Sequence, residues 1–360
     1  FDSNFKAIRN EGPTRLGHTI LYDRLVNEVA SHDICMIYHA DMYLCPAALD
    51  SIEWNLKDKT IVSLTRIEPP LHPDGPEKIL QDFGIEPEEF NEDGLLKYLE
   101  ESKGKRVNKT TEGIFAPWAF WKKDFQEIGG HDPLFAPQSK EDTDIFNRFQ
   151  LNGIKFIQTW EGCVYHMTCR GSRFADGAQR NPDGQVFMKN RETDEWLAQN
   201  QRSTRNFLRK WGHFCKHDNL MKPIIPPKYK VAFILKGAGI DLLAALEPWG
   251  DKIYCENMHE STMNMYIERE QPNTKYPLDK RVLDADILMT NQDAGLGTKN
   301  YCNIEVRIDG ALFNQIDFQY IQQLSEIIQD SGEVGTFQLG NLSINIRELN
   351  SYEKELIKVS

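Results

Sequence analysis

The sequence lacks the apolar run that a membrane helix needs, since nowhere do roughly 18 apolar residues follow one another, and no charged-then-apolar leader opens it. No membrane span is expected, and the chain reads as cytoplasmic. Paired cysteine motifs are missing as well. The seven cysteines are odd in number and scattered, without the CxxC spacing of zinc or redox sites, so they are read as reduced and mostly buried. Positive charge is in deficit: 42 Lys plus Arg face 54 Asp plus Glu, a formal balance of −12. That sign argues against general binding to nucleic acid or to an anionic membrane surface, both of which reward a positive field. A phosphorylated substrate would need a local cation. Internal repeats are absent, and no Gly-rich, basic phosphate loop is visible near the start.

What is present suits a globular α/β protein of two domains. With 360 residues, 40% of them hydrophobic and 11% aromatic, the chain exceeds one ordinary core. Three prolines between Met221 and Lys228 interrupt an otherwise periodic pattern, placing one domain at 1–220 and a smaller α/β domain at 228–360. The opening is polar and irregular and leads into a helix around Ile20 to Val29 rather than a buried strand, so an upstream βαβ piece is expected to be missing. Asp33–Tyr38 reads as a buried parallel strand that delivers polar groups to its C-terminal edge. Strands follow at Thr60–Thr65, Gly113–Phe120, Lys155–Thr159 and Gly162–His166, with helices at Lys123–Ile128 and Glu141–Leu151. Glu68–Lys109 reads as an insertion over the site, and Gly171–Gln201 as a mobile flap. In the second domain strands are expected at Lys230–Leu235, Lys252–Cys255, Asp286–Thr290 and Ile304–Ile308, helices at Ile240–Leu246 and Asp317–Gln329, and a hairpin at Gly335–Arg347.

Three polar groups stand where chemistry is done in such sheets, at strand ends and at a helix start. His39-Ala40-Asp41 follows the first strand, and the Asp41 carboxylate can hold Mn²⁺ or Mg²⁺; a strand-terminal Asp also caps turns. Glu141-Asp142-Thr143-Asp144 opens a helix, where acids also complement the helix dipole. There Asp142 is the candidate general base, and Glu141 a contact for acceptor or sugar hydroxyls. Val164-Tyr165-His166 ends another strand and is followed by Arg170; a lone His is often purely structural. In the second domain Lys236-Gly237-Ala238-Gly239 follows a strand, a GxG without the further spacing of a nucleotide loop.

In this order, HAD after a strand, then Gly113-Ile114-Phe115-Ala116, Phe125-Gln126-Glu127-Ile128-Gly129-Gly130-His131-Asp132, Glu141-Asp142-Thr143-Asp144 with Arg148 and Gly153, then Val164-Tyr165-His166, residues 15 to 215 resemble the GT-A class of glycosyltransferases. They are most similar to glycosyltransferase family two and the galactosyltransferase C-terminal region. The resemblance implies a Rossmann-like mixed sheet and transfer from a nucleotide-sugar donor, UDP-linked by expectation, to a glycan, lipid or protein acceptor, with inversion. It implies that Asp41 is the metal-binding acid of a DxD motif, His166 a second ligand, Asp142 the base, and Gly129 and Gly130 the walls of the sugar pocket. Arg24 and Asn27 fall where the class carries an Arg-Asn pair. Gly113 and Trp118 are candidate substrate contacts, and Arg170 would face the leaving phosphates. His39 stands in place of the first Asp of DxD, at the expected ribose contact. The nucleotide-base-binding strand and loop that begin this class are not seen, which would put Phe1 near the third element of the fold. A catalytically inactive sugar-binding or scaffold protein, or a nucleotidyltransferase, are the competing readings.

Overall fold

The computed structural model describes residues 6–12, 16–168, 177–188, 192–285 and 302–359. The chain divides into two compact units, the first comprising 1–200, 216–224 and 357–360, the second 201–215 and 225–356. Relative to the proline-based division, residues 201–215 belong to the second unit and the last four residues to the first. No helix among the described residues is long and apolar enough to cross a membrane.

The first unit is built on a seven-stranded mixed sheet. Its strands are β1 (Ile34–Ile37), β2 (Met42–Leu44), β3 (Thr60–Glu68), β4 (Lys78–Leu80), β5 (Thr110–Thr111), β6 (Trp118–Trp121) and β7 (Lys155–His166), in the order β1-β6-β3-β7-β2, with β4 beside β3 and β5 beside β7. Helices α1 (Gly17–Arg24), α2 (Ala48–Asn55), α3 (Glu92–Arg106), α4 (Lys122–Glu127) and α5 (Glu141–Leu151) complete it. Successive side chains of a strand point to opposite faces, and β7 uses both. Phe156 and Val164 pack with Phe125, Ile145 and Phe149 in one core, while Cys163 and Tyr165 pack with Leu95 and Leu99 of α3 in another.

Four sequence expectations change here. The run at Asp33–Tyr38 is not a buried parallel strand: β1 is an edge strand antiparallel to β6, with Ile34 exposed and only Ile37 of the strand fully buried. Lys155–Thr159 and Gly162–His166 form one strand, because the residues between them are taken up by a register shift opposite Leu64 and Thr65. Gly162 permits this close approach, since a Cβ there would lie 2.7 Å from Leu64 Cδ2. The stretch read as an insertion is partly integral: β4 extends the sheet, and the Tyr165 hydroxyl pins the loop before α3 by donating to Gly84 O at 2.5 Å and accepting from Phe83 N–H at 2.9 Å. Of the supposed flap, 177–188 carry the hairpin of β8 (Ala178–Arg180) and β9 (Val186–Met188), anchored by Arg180 to Asp82 at 2.8 Å and Glu89 at 2.9 Å.

The second unit has its own six-stranded sheet of β10 (Val231–Lys236), β11 (Lys252–Glu256), β12 (Val282–Asp284), β13 (Ile304–Asp309), β14 (Gly335–Leu339) and β15 (Leu342–Ile346), in the order β12-β11-β10-β13-β15-β14. The first four are parallel and the last two form an antiparallel hairpin on the β13 edge. Residues 201–211 of helix α6 (Asp194–Trp211) belong to this unit, α7 (Ile240–Leu246) links β10 to β11, and α8 (Glu260–Glu270) links β11 to β12. Phe233, Leu235, Leu243, Val306 and Ile344 form its core. The helix expected over Asp317–Gln329 is two helices, Gln315–Gln322 and Leu324–Ser331, broken at Gln323. The strand expected at 286–290 lies outside the described residues.

Candidate functional site

The site is assembled by a tight turn. After β1 the chain reverses through His39–Met42, closed by Met42 N–H to His39 O at 3.3 Å and by the Tyr38 hydroxyl to the Met42 carbonyl. It then enters β2, which pairs antiparallel with the end of β7 in the register Met42 to His166. Asp41, one residue earlier, is thereby brought beside His166, with Oδ2 and Nε2 3.5 Å apart. His39 completes the group: one donor atom from each of His39, Asp41 and His166 lies within 4.8 Å of the others.

Beneath them Glu68, the fully buried last residue of β3, holds the other ring nitrogen of His166, with Nδ1 3.1 Å from Oε2. Lys78 Nζ is 3.0 Å from Glu68 Oε1, and Arg66 lies 3.5 Å from Oε2. Burial opposes ionisation of Glu68, but the His166 hydrogen bond and the charges of Arg66 and Lys78 outweigh it and lower its pKa to about 2. For His166 burial disfavours the proton, yet the bonds to Asp41 and Glu68 prevail and raise its pKa. Asp41 is likewise held below the ordinary carboxylate range, its burial outweighed by the His166 hydrogen bond and the His166 and His39 charges. His39 moves down, chiefly through burial, and so offers a neutral imidazole lone pair at neutral pH. A carboxylate behind a histidine fixes its ring and raises its basicity, the arrangement found behind metal-binding imidazoles. Two imidazoles and one carboxylate fit Mn²⁺ or another first-row transition ion, whereas Mg²⁺ prefers an all-oxygen shell.

The acidic helix start lies within electrostatic reach of this group. Ser139 and Lys140 both have positive φ (80° and 70°), turning the chain sharply into α5. Glu141 is buried, with Oε1 bonded to His18 Nε2 of α1 and Oε2 without a hydrogen-bond partner among the described residues. Asp142, the second residue of the helix, is exposed to solvent. Desolvation first, and then the Glu141 charge, push its carboxyl up to about 6, with His18 and His131 pulling the other way. The two groups share one electrostatic environment. Burial and then the charges of Asp142, Glu141 and Asp41 raise the Tyr22 phenol, and His39 responds to Asp41, His166, His18 and Glu141.

The Gly129-Gly130 turn supports this constellation. Gly130 has φ +70°, and a Cβ on it would lie 2.3 Å from Asp23 Oδ2; that carboxylate accepts from His131 N–H at 3.0 Å, and its other oxygen lies 2.7 Å from His131 Nδ1. The fully buried Arg148 donates to Asp144 at 2.8 Å, to Ile128 O at 3.1 Å and to Gly130 O at 2.6 Å. Both glycines therefore have a backbone task, forming the turn that carries His131.

Other expected contacts lie elsewhere. Trp118, expected as a substrate contact, is 1% exposed and packs on Phe120, Phe146 and Phe149 in the core, so no ligand reaches it. Gly113 is buried against Leu220 O, which a Cβ would approach to 1.9 Å. Arg24, the last residue of α1, pairs with Glu28 in the turn that follows at 3.3 Å, and the exposed Asn27 accepts from Gln126 at 3.1 Å. Arg170 lies outside the described residues. Sequence reasoning missed His18, Tyr22, Glu68 and His131. His18 and Tyr22 are four apart on one helix face, a spacing visible in the sequence, whereas Glu68 becomes relevant only through its strand's pairing. A recess of about 760 Å³ between Asn55, Thr110, Gln150 and Lys222 contains none of these groups. Compared with models of known protein families the chain matches none, and no curated protein sequence matches it.

Proposed function

We propose that this chain is a glycosyltransferase that moves a sugar from a nucleotide-sugar, expected to be UDP-linked, to an acceptor hydroxyl with inversion. One observation carries the reading: His39, Asp41 and His166 bring their donor atoms together, and the charges of Asp41, Glu141 and Asp142 all act on the Tyr22 phenol, which suits a cation subsite near a carboxylate base. His39, Asp41 and His166 would hold the metal, Mn²⁺ by their donor chemistry, which supplies charge neutralisation for the diphosphate leaving group. Asp142 accepts the proton of the acceptor hydroxyl as its oxygen forms a bond to the anomeric carbon. The bond from that carbon to the phosphate oxygen breaks, and its electron pair leaves with the nucleoside diphosphate. A carboxylate of pKa near 6 is mostly ionised at neutral pH and is a stronger base than an ordinary Asp. Glu141, bonded to His18, is the expected contact for sugar or acceptor hydroxyls, and its charge helps hold the Asp142 proton.

The test is Mn²⁺-dependent turnover of a panel of UDP-, GDP- and dTDP-sugars, followed as nucleoside diphosphate release. Turnover lost in Asp41→Ala and Asp142→Asn supports the reading. Binding of nucleotide-sugar without any turnover would support a sugar-binding protein instead, and release of pyrophosphate from UTP and a sugar phosphate would support nucleotidyl transfer.

A further inference from the structure

We propose that the second unit carries a binding site of its own for a ribonucleoside without a polyphosphate, at the C-terminal edge of its parallel strands, with Glu256 on the ribose hydroxyls. This goes beyond the glycosyl-transfer reading and does not depend on it. The chain lays down β10, β11 and β12 in one direction across the sheet and then returns to place β13 on the other side of β10. In open α/β sheets that reversal leaves a crevice beyond the carboxyl ends of the two strands flanking it, here β10 and β13, and ligands bind there.

Gly237-Ala238-Gly239 forms the loop at that point. Gly237 has φ +61°. The loop is tied to both neighbouring strands, by Gly237 N–H to Glu256 O at 3.1 Å and by Gly310 N–H to Lys236 O at 2.8 Å. Gly310 is pressed against it, for a Cβ there would lie 3.0 Å from Gly237 O. On Gly237 and Gly239, by contrast, a Cβ would meet nothing within 4 Å, so open space lies where a ligand would approach the backbone. Glu256 ends β11, about 20 residues past the first glycine, the spacing at which an acid reaches a ribose diol in such units. Its half-buried side chain has no hydrogen-bond or ion-pair partner among the described residues.

Charge selects the ligand. Glu256, Asp284 and Asp309 end three of the four parallel strands and Asp241 lies in the first turn of α7, against the single strand-terminal cation Lys236. The third glycine of a dinucleotide loop is replaced by Leu242, packed against the core, and α7 has only seven residues. A diphosphate would be repelled by this edge, whereas a nucleoside with a neutral or cationic 5′ substituent would not.

The experiment is calorimetric titration of the whole chain with adenosine, guanosine, uridine, cytidine, S-adenosylmethionine and NAD⁺, repeated with the 2′-deoxy form of whichever nucleoside binds. The expected result is saturable binding of one nucleoside class, weakened about tenfold or more in Glu256→Gln and by loss of the 2′-hydroxyl. Gly239→Val should abolish binding while the chain stays folded, because a Cβ there meets only open space. Asp41→Ala should leave binding intact, which separates this site from that of the first unit. The proposal is overturned if none of the probes binds at millimolar concentration, if binding survives both Glu256→Gln and Gly239→Val, or if NAD⁺ binds more tightly than the nucleosides.

Discussion

Asp142 and Glu68 make contrasting use of the same functional group. Asp142 is partly desolvated and lies beside Glu141, so its proton is held up to about 6; Glu68 is fully buried but sits among His166, Arg66 and Lys78, so it stays ionised to about 2. If Asp142 is the base, turnover should rise with pH as it loses its proton around pH 6 and fall away below, and kcat against pH would display this. Asp142→Asn should lower kcat by on the order of 10² to 10⁴ and remove that limb of the profile while leaving the fold intact; a near-normal rate would make Asp142 only a residue of the helix start. Glu68→Gln keeps the shape of the side chain but weakens the hold on His166. It should reduce Mn²⁺ affinity about 10- to 100-fold, read by titration calorimetry of the metal alone.

At the scale of elements, the turn at Gly129-Gly130 and the helix α5 form one device. Arg148 joins Gly130 O to Asp144 in a site with no water access, so Arg148→Met removes a buried ion pair and two carbonyl contacts and should destabilise the first unit by about 3–5 kcal/mol in denaturant unfolding. Gly130→Ala forces a left-handed residue against Asp23 and should cost at least about 1–3 kcal/mol, with loss of the His131 contact. Much of this device was legible: Asp144 and Arg148 stand four apart on a helix, and paired glycines mark a turn. That Arg148 caps the carbonyls of that turn was not, because the contact joins residues distant in sequence. β1 shows the opposite failure. Four apolar residues look alike on an edge or in the middle of a sheet, and only the pairing partners distinguish them.

For the whole molecule, each unit relies on buried charge as well as apolar burial. In the second unit Glu247 is enclosed and bonded by Arg209 at 2.7 Å and Arg281 at 2.7 Å, while Arg209 also bonds Glu270 at 2.6 Å. Burial alone would raise the Glu247 pKa, but the Arg281 and Arg209 charges dominate and lower it to about 2. A carboxylate depressed in the folded state stabilises fully above its unfolded value, near 4.5, and that contribution is lost as pH falls from there toward 2. Acid titration followed by circular dichroism should therefore show the second unit losing stability across that window, and Glu247→Gln should flatten the dependence.

The sequence by itself determined the α/β alternation, the helix at Glu141–Leu151 and the order of polar groups along the chain, because strand and helix periods and turn residues are local properties. Tertiary structure alone decided that Asp41 meets His166 through the register of β2 on β7, that Glu68 lies behind that histidine, and that Trp118 is core. Each of these depends on which strand pairs with which and on which face is covered. Pairing is set by the summed burial of many distant side chains, and no local pattern encodes it.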